Sequence, residues 1–489
     1  MSRRYAPSVL LLAAVACSQA GPAGPDQRGG ARLAVIAGSN LADTALSVLP
    51  GPLTVEVHDS TGSLAAAGTV VRFEAVPYAM PTRGETYEVT LGPDPTHFYA
   101  ASATVETDQA GRSSAYVRLG RKAGTSHVVI SVPALGLVDT ARYTVTHGAP
   151  TILEILPFDT AVTVGHSVTL RVGEIDQNAN PITDGPRVWN ASNPVATVDS
   201  TGTVFGATIG SDTITLISGR LSAHINVSVV PPGRLAVSYG TTIGLMNLDG
   251  GHVDSLASAA EGPAGYRPQW MPDGESVVYV ARVGDVQTIE RVDTATRTVS
   301  PFFPSGIPGV TDQTNPVPTY DGTWLFFAAH DSTCVPSTLC LYRSRIDGSS
   351  PLRIGTSALS DNELTPSPSP DGSLVAFVQK RHIKVYDVAN AQLTSVDVAG
   401  MSPTWSHDGS TIAYVAASDS TIMGMAPDGT GQRALSPGRP FTGFMMSWSA
   451  DDKYIMAMSN SGMWRLIDVQ TGASIQLPVN EYFGSLAFH

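Results

Sequence analysis

Six copies of one short pattern fill residues 231–489, and one copy is split between the two ends of that stretch. The pattern is a Pro-x-aromatic stretch, a Pro-Asp-Gly turn, an apolar run and then an Asp that opens a second turn. It reads Pro268-Gln269-Trp270-Met271-Pro272-Asp273-Gly274, Pro366-Ser367-Pro368-Ser369-Pro370-Asp371-Gly372 and Pro403-Thr404-Trp405-Ser406-His407-Asp408-Gly409, with looser copies at 316–322 and 446–452. The turn positions Pro232, Asp273, Asp321, Asp371, Asp408 and Asp451 follow one another at steps of 41, 48, 50, 37 and 43 residues. The sequence stops at Leu486-Ala487-Phe488-His489, halfway through a further copy. The missing half, Pro231-Pro232-Gly233-Arg234-Leu235-Ala236-Val237, lies where the repeats start. A linear array has no reason to finish in register with its own beginning; a ring does.

A period near 40 residues with short apolar runs predicts a β-propeller, each repeat being one four-stranded blade that buries its faces only against its neighbours. The whole chain is therefore expected to be all-β: two Ig-like β-sandwiches followed by a six-bladed propeller closed by its C-terminal strand, Leu486 to His489. A second series of turns supports six blades independently: Asp249, Asp293, Asp347, Asp387, Asp428 and Asp468. Asp suits a turn because its carboxylate accepts from its own backbone, and a following Gly takes up positive φ.

Trp405-Ser406-His407-Asp408-Gly409-Ser410-Thr411-Ile412-Ala413-Tyr414-Val415 resembles the repeat of the TolB-type propeller family, Trp-Ser-Pro-Asp-Gly and an apolar strand. The likeness covers residues 231–489 and implies the fold; it implies little about function. The chain lacks the α/β domain that precedes the propeller in TolB itself. An Asp repeated in every blade is a turn-former before it is a catalyst, so Asp273, Asp321, Asp371, Asp408 and Asp451 are read as structural. Trp270, Trp405 and Trp448 are read as packing between blades rather than as a stacking platform.

Residues 31–230 show no helical period but many alternating runs bounded by Gly, Asp, Asn and Pro, the pattern of sandwiches. Within 149–230, Val188-Trp189-Asn190-Ala191-Ser192-Asn193-Pro194-Val195-Ala196-Thr197-Val198-Asp199 and Gly210-Ser211-Asp212-Thr213-Ile214-Thr215 resemble the group 2 bacterial Ig-like domain. That likeness implies that Trp189 packs in the core. Within 31–148, Leu53-Thr54-Val55-Glu56-Val57-His58-Asp59, Gly68-Thr69-Val70-Val71-Arg72-Phe73 and Thr107-Asp108-Gln109-Ala110-Gly111 resemble the group 1 domain of invasin-type proteins. Residues 77–99 are an insertion against that family; with Tyr78, Tyr87, Phe98 and Tyr99 they form either a binding loop or a long hairpin. Asp176-Gln177-Asn178-Ala179-Asn180-Pro181 looks like the start of a calcium loop, but the bidentate Glu and the Gly of that loop are missing, which favours a hairpin turn.

Residues 1–16 read as a secretory signal: Arg3 and Arg4, an apolar stretch too short for a bilayer, then small residues. Ala14-Val15-Ala16-Cys17 resembles the lipobox of bacterial lipoproteins, which implies cleavage before Cys17 and its lipidation; plain signal cleavage is the alternative. Ser18 after the Cys favours an outer-membrane address. Residues 17–30, rich in Gly, Pro and Ala, suit a flexible tether. The other two cysteines, Cys334 and Cys340, flank five residues in a loop between two predicted strands. Export favours a disulfide between them.

No Gly-x-Ser-x-Gly, His-Glu-x-x-His, phosphate-binding Gly-Lys-Ser/Thr loop or Gly-x-Gly-x-x-Gly follows a strand. No catalytic, cofactor or metal residues are assigned. The formal net charge of −13 and the lack of a basic stripe disfavour nucleic acid as a partner. The expected protein is a monomeric cell-envelope lipoprotein that is not an enzyme. It touches the membrane through its lipid alone and presents the propeller on an Ig-like stalk for binding or adhesion to a protein or glycan. The alternatives are an envelope assembly factor, or an enzyme such as a polysaccharide lyase or hydrolase with its site at the propeller centre.

Overall fold

The computed structural model describes residues 26–488 apart from 29, 83–84, 99, 159, 259–266, 284–285, 336–337, 356–364, 439 and 479–482. It is all-β: among the described residues the single helical element is the 3-10 turn Pro133–Leu135. The chain divides into two compact units. One comprises Met1–Glu154, Gly173–Pro186 and Ser218–Leu221; the other comprises Ile155–Val172, Arg187–Ile217 and Ser222–His489. The division runs through the second Ig-like segment instead of along its border.

In the first unit, two five-stranded sheets share one buried cluster. The first contains Asp26–Arg28, Ala31–Ala37, Leu53–His58, Arg112–Leu119 and Val89–Gly92; the second contains Leu41–Thr44, Leu137–Thr146, Gly124–Val132, Val70–Ala75 and Ser102–Glu106. Strict alternation aims every second residue inward, so Leu53, Val55 and Val57 meet Val71, Phe73 and Ile130 in that cluster. Each such side chain contributes roughly 1.5–3 kcal/mol by leaving water. The insertion is a hairpin: Pro77–Thr82 pairs with Glu85–Tyr87, and Val89–Gly92 then joins the first sheet.

Asp176 also belongs to this unit, and its carboxylate is filled by N–H donors. It accepts from the backbones of Asn178 (2.7 Å), Asn180 (2.9 Å) and Gly148 (2.8 Å) and from the Asn180 amide (3.0 Å). This is a turn held by its own backbone, with no oxygen left over for a calcium ion.

The second unit opens with a four-stranded sheet of Thr160–Thr163, Leu221–Val230, Gly210–Ser218 and Arg187–Ala191, and a three-stranded one of Ser167–Thr169, Thr203–Gly206 and Ala196–Val198. Here Trp189 departs from the expected core position. It is half-buried, because Arg187–Ala191 is an edge strand. Its ring lies over Gly202, where a Cβ would come within 2.8 Å of the indole.

The repeats then form consecutive antiparallel sheets. Three are four-stranded in chain order: Gln269–Trp270 to Val299–Pro301, Val310–Pro318 to Leu352–Arg353, and Phe441–Trp448 to Ser474–Gln476. The fourth and fifth repeats share one seven-stranded sheet instead of making two. Their common member is the long strand Gln392–Trp405, which pairs with His382–Asp387 through its first half and with Ile412–Ala416 through its second. The remaining sheet runs Asp254–Ser258, Thr242–Asn247, Arg234–Tyr239, Phe483–Phe488. Its last pair sets Leu235 against Phe488, Ala236 against Ala487, Val237 against Leu486 and Ser238 against Ser485. The terminal strand thus starts earlier than the sequence suggested, and His489 lies outside the described residues.

Buried clusters fill the spaces between successive sheets. Trp405 joins Ala376, Val385, Ile412 and Tyr414, while Trp464 joins Leu235, Val237, Met456 and Leu466.

Candidate functional site

The repeat turns share one construction, complete in four of them; the turn at Asp273 has Met271 in place of the hydroxyl. Two residues before the Asp, a hydroxyl donates to its Oδ1: Thr319 to Asp321 (2.7 Å), Ser369 to Asp371 (2.7 Å), Ser406 to Asp408 (2.6 Å) and Ser449 to Asp451 (2.8 Å). Two residues after it, a backbone N–H donates to the same oxygen, from Glu275 to Asp273 (2.9 Å) through to Lys453 on Asp451 (3.2 Å). Asp273 also holds the Arg291 guanidinium at 3.0 Å. These bonds favour the anion. The Ser406 hydroxyl and then the Ser410 N–H hold the Asp408 carboxyl below its usual range, against its partial burial. The turn closes on a glycine with positive φ in most repeats, and at Gly372, with φ of +70°, a Cβ would also press on Trp324 at 3.0 Å. All five aspartates are spent on the turns.

The strands leading into these turns converge on a cavity of about 370 Å³. Its lining repeats by position. Six residues before the turn Asp stand Arg267, Asn315, Thr365 and Ser402, and four before it stand Gln269, Val317, Ser367, Thr404 and Ser447. Arg267, Asn315 and Ser402 carry positive φ of 38°, 54° and 51°. Each precedes a proline, where an extended backbone is normal. A non-glycine residue held this way costs on the order of 1–3 kcal/mol. The ladder slips at two of the three, between Thr314 and Val317 and between Met401 and Thr404. Such bulges re-aim side chains, here toward the cavity.

Immediately before the turn Asp, Pro272 and Pro370 are replaced by Tyr320 in the third repeat and His407 in the fifth. The two rings stack across the intervening repeat with centroids 3.7 Å apart. His407 is held in turn by Asp452, which accepts from the His407 Nδ1 position (3.0 Å) and from the backbones of His407 (2.7 Å) and Asp408 (2.9 Å). Asp452 stands where the other repeats have Gly, at φ 57°. The Tyr320 hydroxyl donates to the Trp405 carbonyl at 3.3 Å. Desolvation there, and then the Asp452 charge, push its ionisation well up, although 39% of the residue remains exposed. Sequence reading missed Tyr320, His407 and Asp452; the signal was their departure from the Pro-Asp-Gly pattern.

Trp405 and Trp448 are each 2% exposed, and the Trp448 indole N–H donates to the Thr404 carbonyl (3.1 Å). Trp270 is half-buried and lines the cavity.

Cys334 and Cys340 are joined by a disulfide, with Cα atoms 6.0 Å apart. Asp331 sits beside the two sulfurs, yet both sulfurs are bonded to each other and its carboxylate is occupied. It accepts from the Thr333 backbone and hydroxyl (both 2.6 Å), from Cys334 N–H (3.1 Å) and from the Tyr342 hydroxyl. Burial pushes its carboxyl up, but the Thr333 and Tyr342 donors outweigh it and hold the carboxyl at about 2. The trio anchors a loop. Reducing so short a loop is expected to cost about 2 kcal/mol. Alkylation of the unreduced protein should leave both cysteines unlabelled, and two modified thiols would refute the bond. Cys17 lies outside the described residues.

Residues 151–229 match the model of the bacterial Ig-like domain (group 2). An uncharacterized protein of Agrobacterium fabrum is 31% identical over 170 residues, which are 30% of this chain and 53% of that protein. The chain therefore spans about half the length of the curated relative it matches. Among solved structures it is similar to TolB of Acinetobacter baumannii (17% identity, 62% of this chain and 82% of that one, TM-score 0.45). It is also similar to a putative TolB of Agrobacterium tumefaciens (13%, 50% and 87%, TM-score 0.39). A third is an oligogalacturonate lyase of Vibrio parahaemolyticus (15%, 60% and 86%, TM-score 0.37).

Proposed function

We propose that this chain is an exported cell-envelope lipoprotein whose work is non-catalytic binding or adhesion to a protein or glycan. In this reading residues 31–148 and 149–230 are Ig-like sandwiches that form a stalk. Residues 231–489 are a six-bladed TolB-like propeller, closed through the pairing of Arg234–Tyr239 with Phe483–Phe488. The cavity lies at the hub.

One observation carries the binding function. Equivalent positions of successive repeats line a single cavity, and three of them are held there in strained backbone. Strain retained at one place in a repeat is a pointer to use. The lining offers hydroxyls, amides and rings, with Arg267 and His407 as its titratable groups other than Tyr320.

Bacterial Ig-like and TolB-like domains are typical of extracellular and envelope proteins, which supports export. No helix among the described residues is long and apolar enough to cross a membrane; Cys17 is proposed as the anchor, in the outer membrane. Cys17→Ser is expected to abolish lipid labelling and release the protein from the membrane fraction. A variant that stays with the membrane would overturn the anchor. For the binding reading, the full chain on beads should retain a protein or glycan from envelope extracts. Turnover of a polysaccharide substrate would replace binding with catalysis.

A further inference from the structure

We propose that the cavity binds an uncharged saccharide, with Tyr320 as its stacking platform; this rests on the binding reading above and names its ligand. Three properties of the lining point to that chemistry. The first is charge: among the described residues the lining contains no carboxylate and no lysine. A strongly charged ligand would find little there to neutralise it.

The second is the backbone. The segments entering the turns are rich in proline, with Pro316, Pro366 and Pro403 at one repeat-equivalent position and Pro318 and Pro368 at another. A proline has a carbonyl but no N–H. An extended peptide needs donors as well as acceptors to pair along such a strand, and these segments cannot supply them in alternation. A saccharide does not need them, because each hydroxyl donates as well as accepts.

The third is the platform. Tyr320 is fixed on one face by the His407 ring at 3.7 Å and at its hydroxyl by the Trp405 carbonyl, yet 39% of it stays exposed. An aromatic face presented beside hydroxyl and amide side chains matches a sugar ring, which has an apolar C–H face and a polar rim. Gln269, Thr365 and Thr404 line the same space and stand ready for that rim.

The test uses the full chain and a panel of neutral di- to hexasaccharides built from glucose, galactose, mannose or N-acetylglucosamine. Uronic-acid oligosaccharides and a proline-free extended peptide serve as controls. Binding is read by calorimetry and by fluorescence of Trp270 at the cavity wall. At least one neutral saccharide should bind. Tyr320→Ala should weaken it roughly tenfold or more, an effect on the scale of one aromatic contact. Tyr320→Phe should bind as the parent does, since the hydroxyl is turned to Trp405. Should Tyr320→Ala unfold the repeats, Gln269→Ala and Thr404→Val report on the same site and should each weaken binding several-fold. Binding confined to uronic acids or to the peptide overturns the proposal, as does neutral-sugar binding indifferent to all of these variants. If no saccharide binds while beads still retain an envelope protein, the saccharide assignment fails and the binding reading survives. If neither binds, both fail.

Discussion

Deleting residues 484–489 is expected to remove or sharply lower one calorimetric transition and leave another in place. The strand Phe483–Phe488 supplies the partner for Leu235, Ala236, Val237 and Ser238. Leu235, Ala236 and Val237 are fully buried. Without their partner the sheet gains an unpaired edge in the middle of a packed region, and several ladder hydrogen bonds worth about 1 kcal/mol each are lost together. Leu235 and Val237 belong to the buried cluster with Met456 and Trp464, so loosening of their strand reaches that core. The core around Val55, Phe73 and Ile130 is separate, so the melting of that unit should hold. If the truncated protein keeps every transition at its original temperature, the terminal strand is dispensable and the ring is not closed through it.

Trp405→Ala is expected to destabilise the repeat region by about 3–5 kcal/mol, the range for emptying a buried Trp or Phe site. The ring is 2% exposed among Ile383, Val385, Ile412 and Tyr414. Its indole nitrogen has no hydrogen-bond partner among the described residues, so lost packing accounts for the effect. The backbone of the same residue donates to the Ser367 hydroxyl at 3.2 Å and accepts from Tyr320, which ties three repeats to this position. Chemical denaturation of the variant measures the loss. A tryptophan that served a ligand instead of the fold would leave the midpoint where it was and change binding alone.

The two variants mark what could be read from the amino-acid order. Turn chemistry is local: an Asp can be filled by the hydroxyl two residues before it and the N–H two residues after it whatever surrounds them, so the period of the repeats was visible in Asp273, Asp321, Asp371, Asp408 and Asp451. Contacts that leap over a repeat are not local. Nothing near Tyr320 in the chain announces that its ring lies on His407, 87 positions away. The clasp of Asp452 on the fifth repeat was equally hidden, because an Asp in place of Gly reads as a weakened copy until its acceptors are placed. Trp189 shows the opposite error: a family likeness assigned it to the core, but an edge strand leaves it half-covered.

The strand Gln392–Trp405 has a consequence for how the molecule breathes. Hydrogen exchange and proteolysis sample partial openings in cooperative blocks, and the natural block in a chain of repeats is a single repeat. Here the fourth and fifth repeats hang on opposite halves of one strand, bulged at Met401–Thr404 but continuous in the chain. Peeling that strand away from His382–Asp387 strips support from Ile412–Ala416 as well. Amides of the two repeats should therefore exchange as one block, where separate repeats would give two.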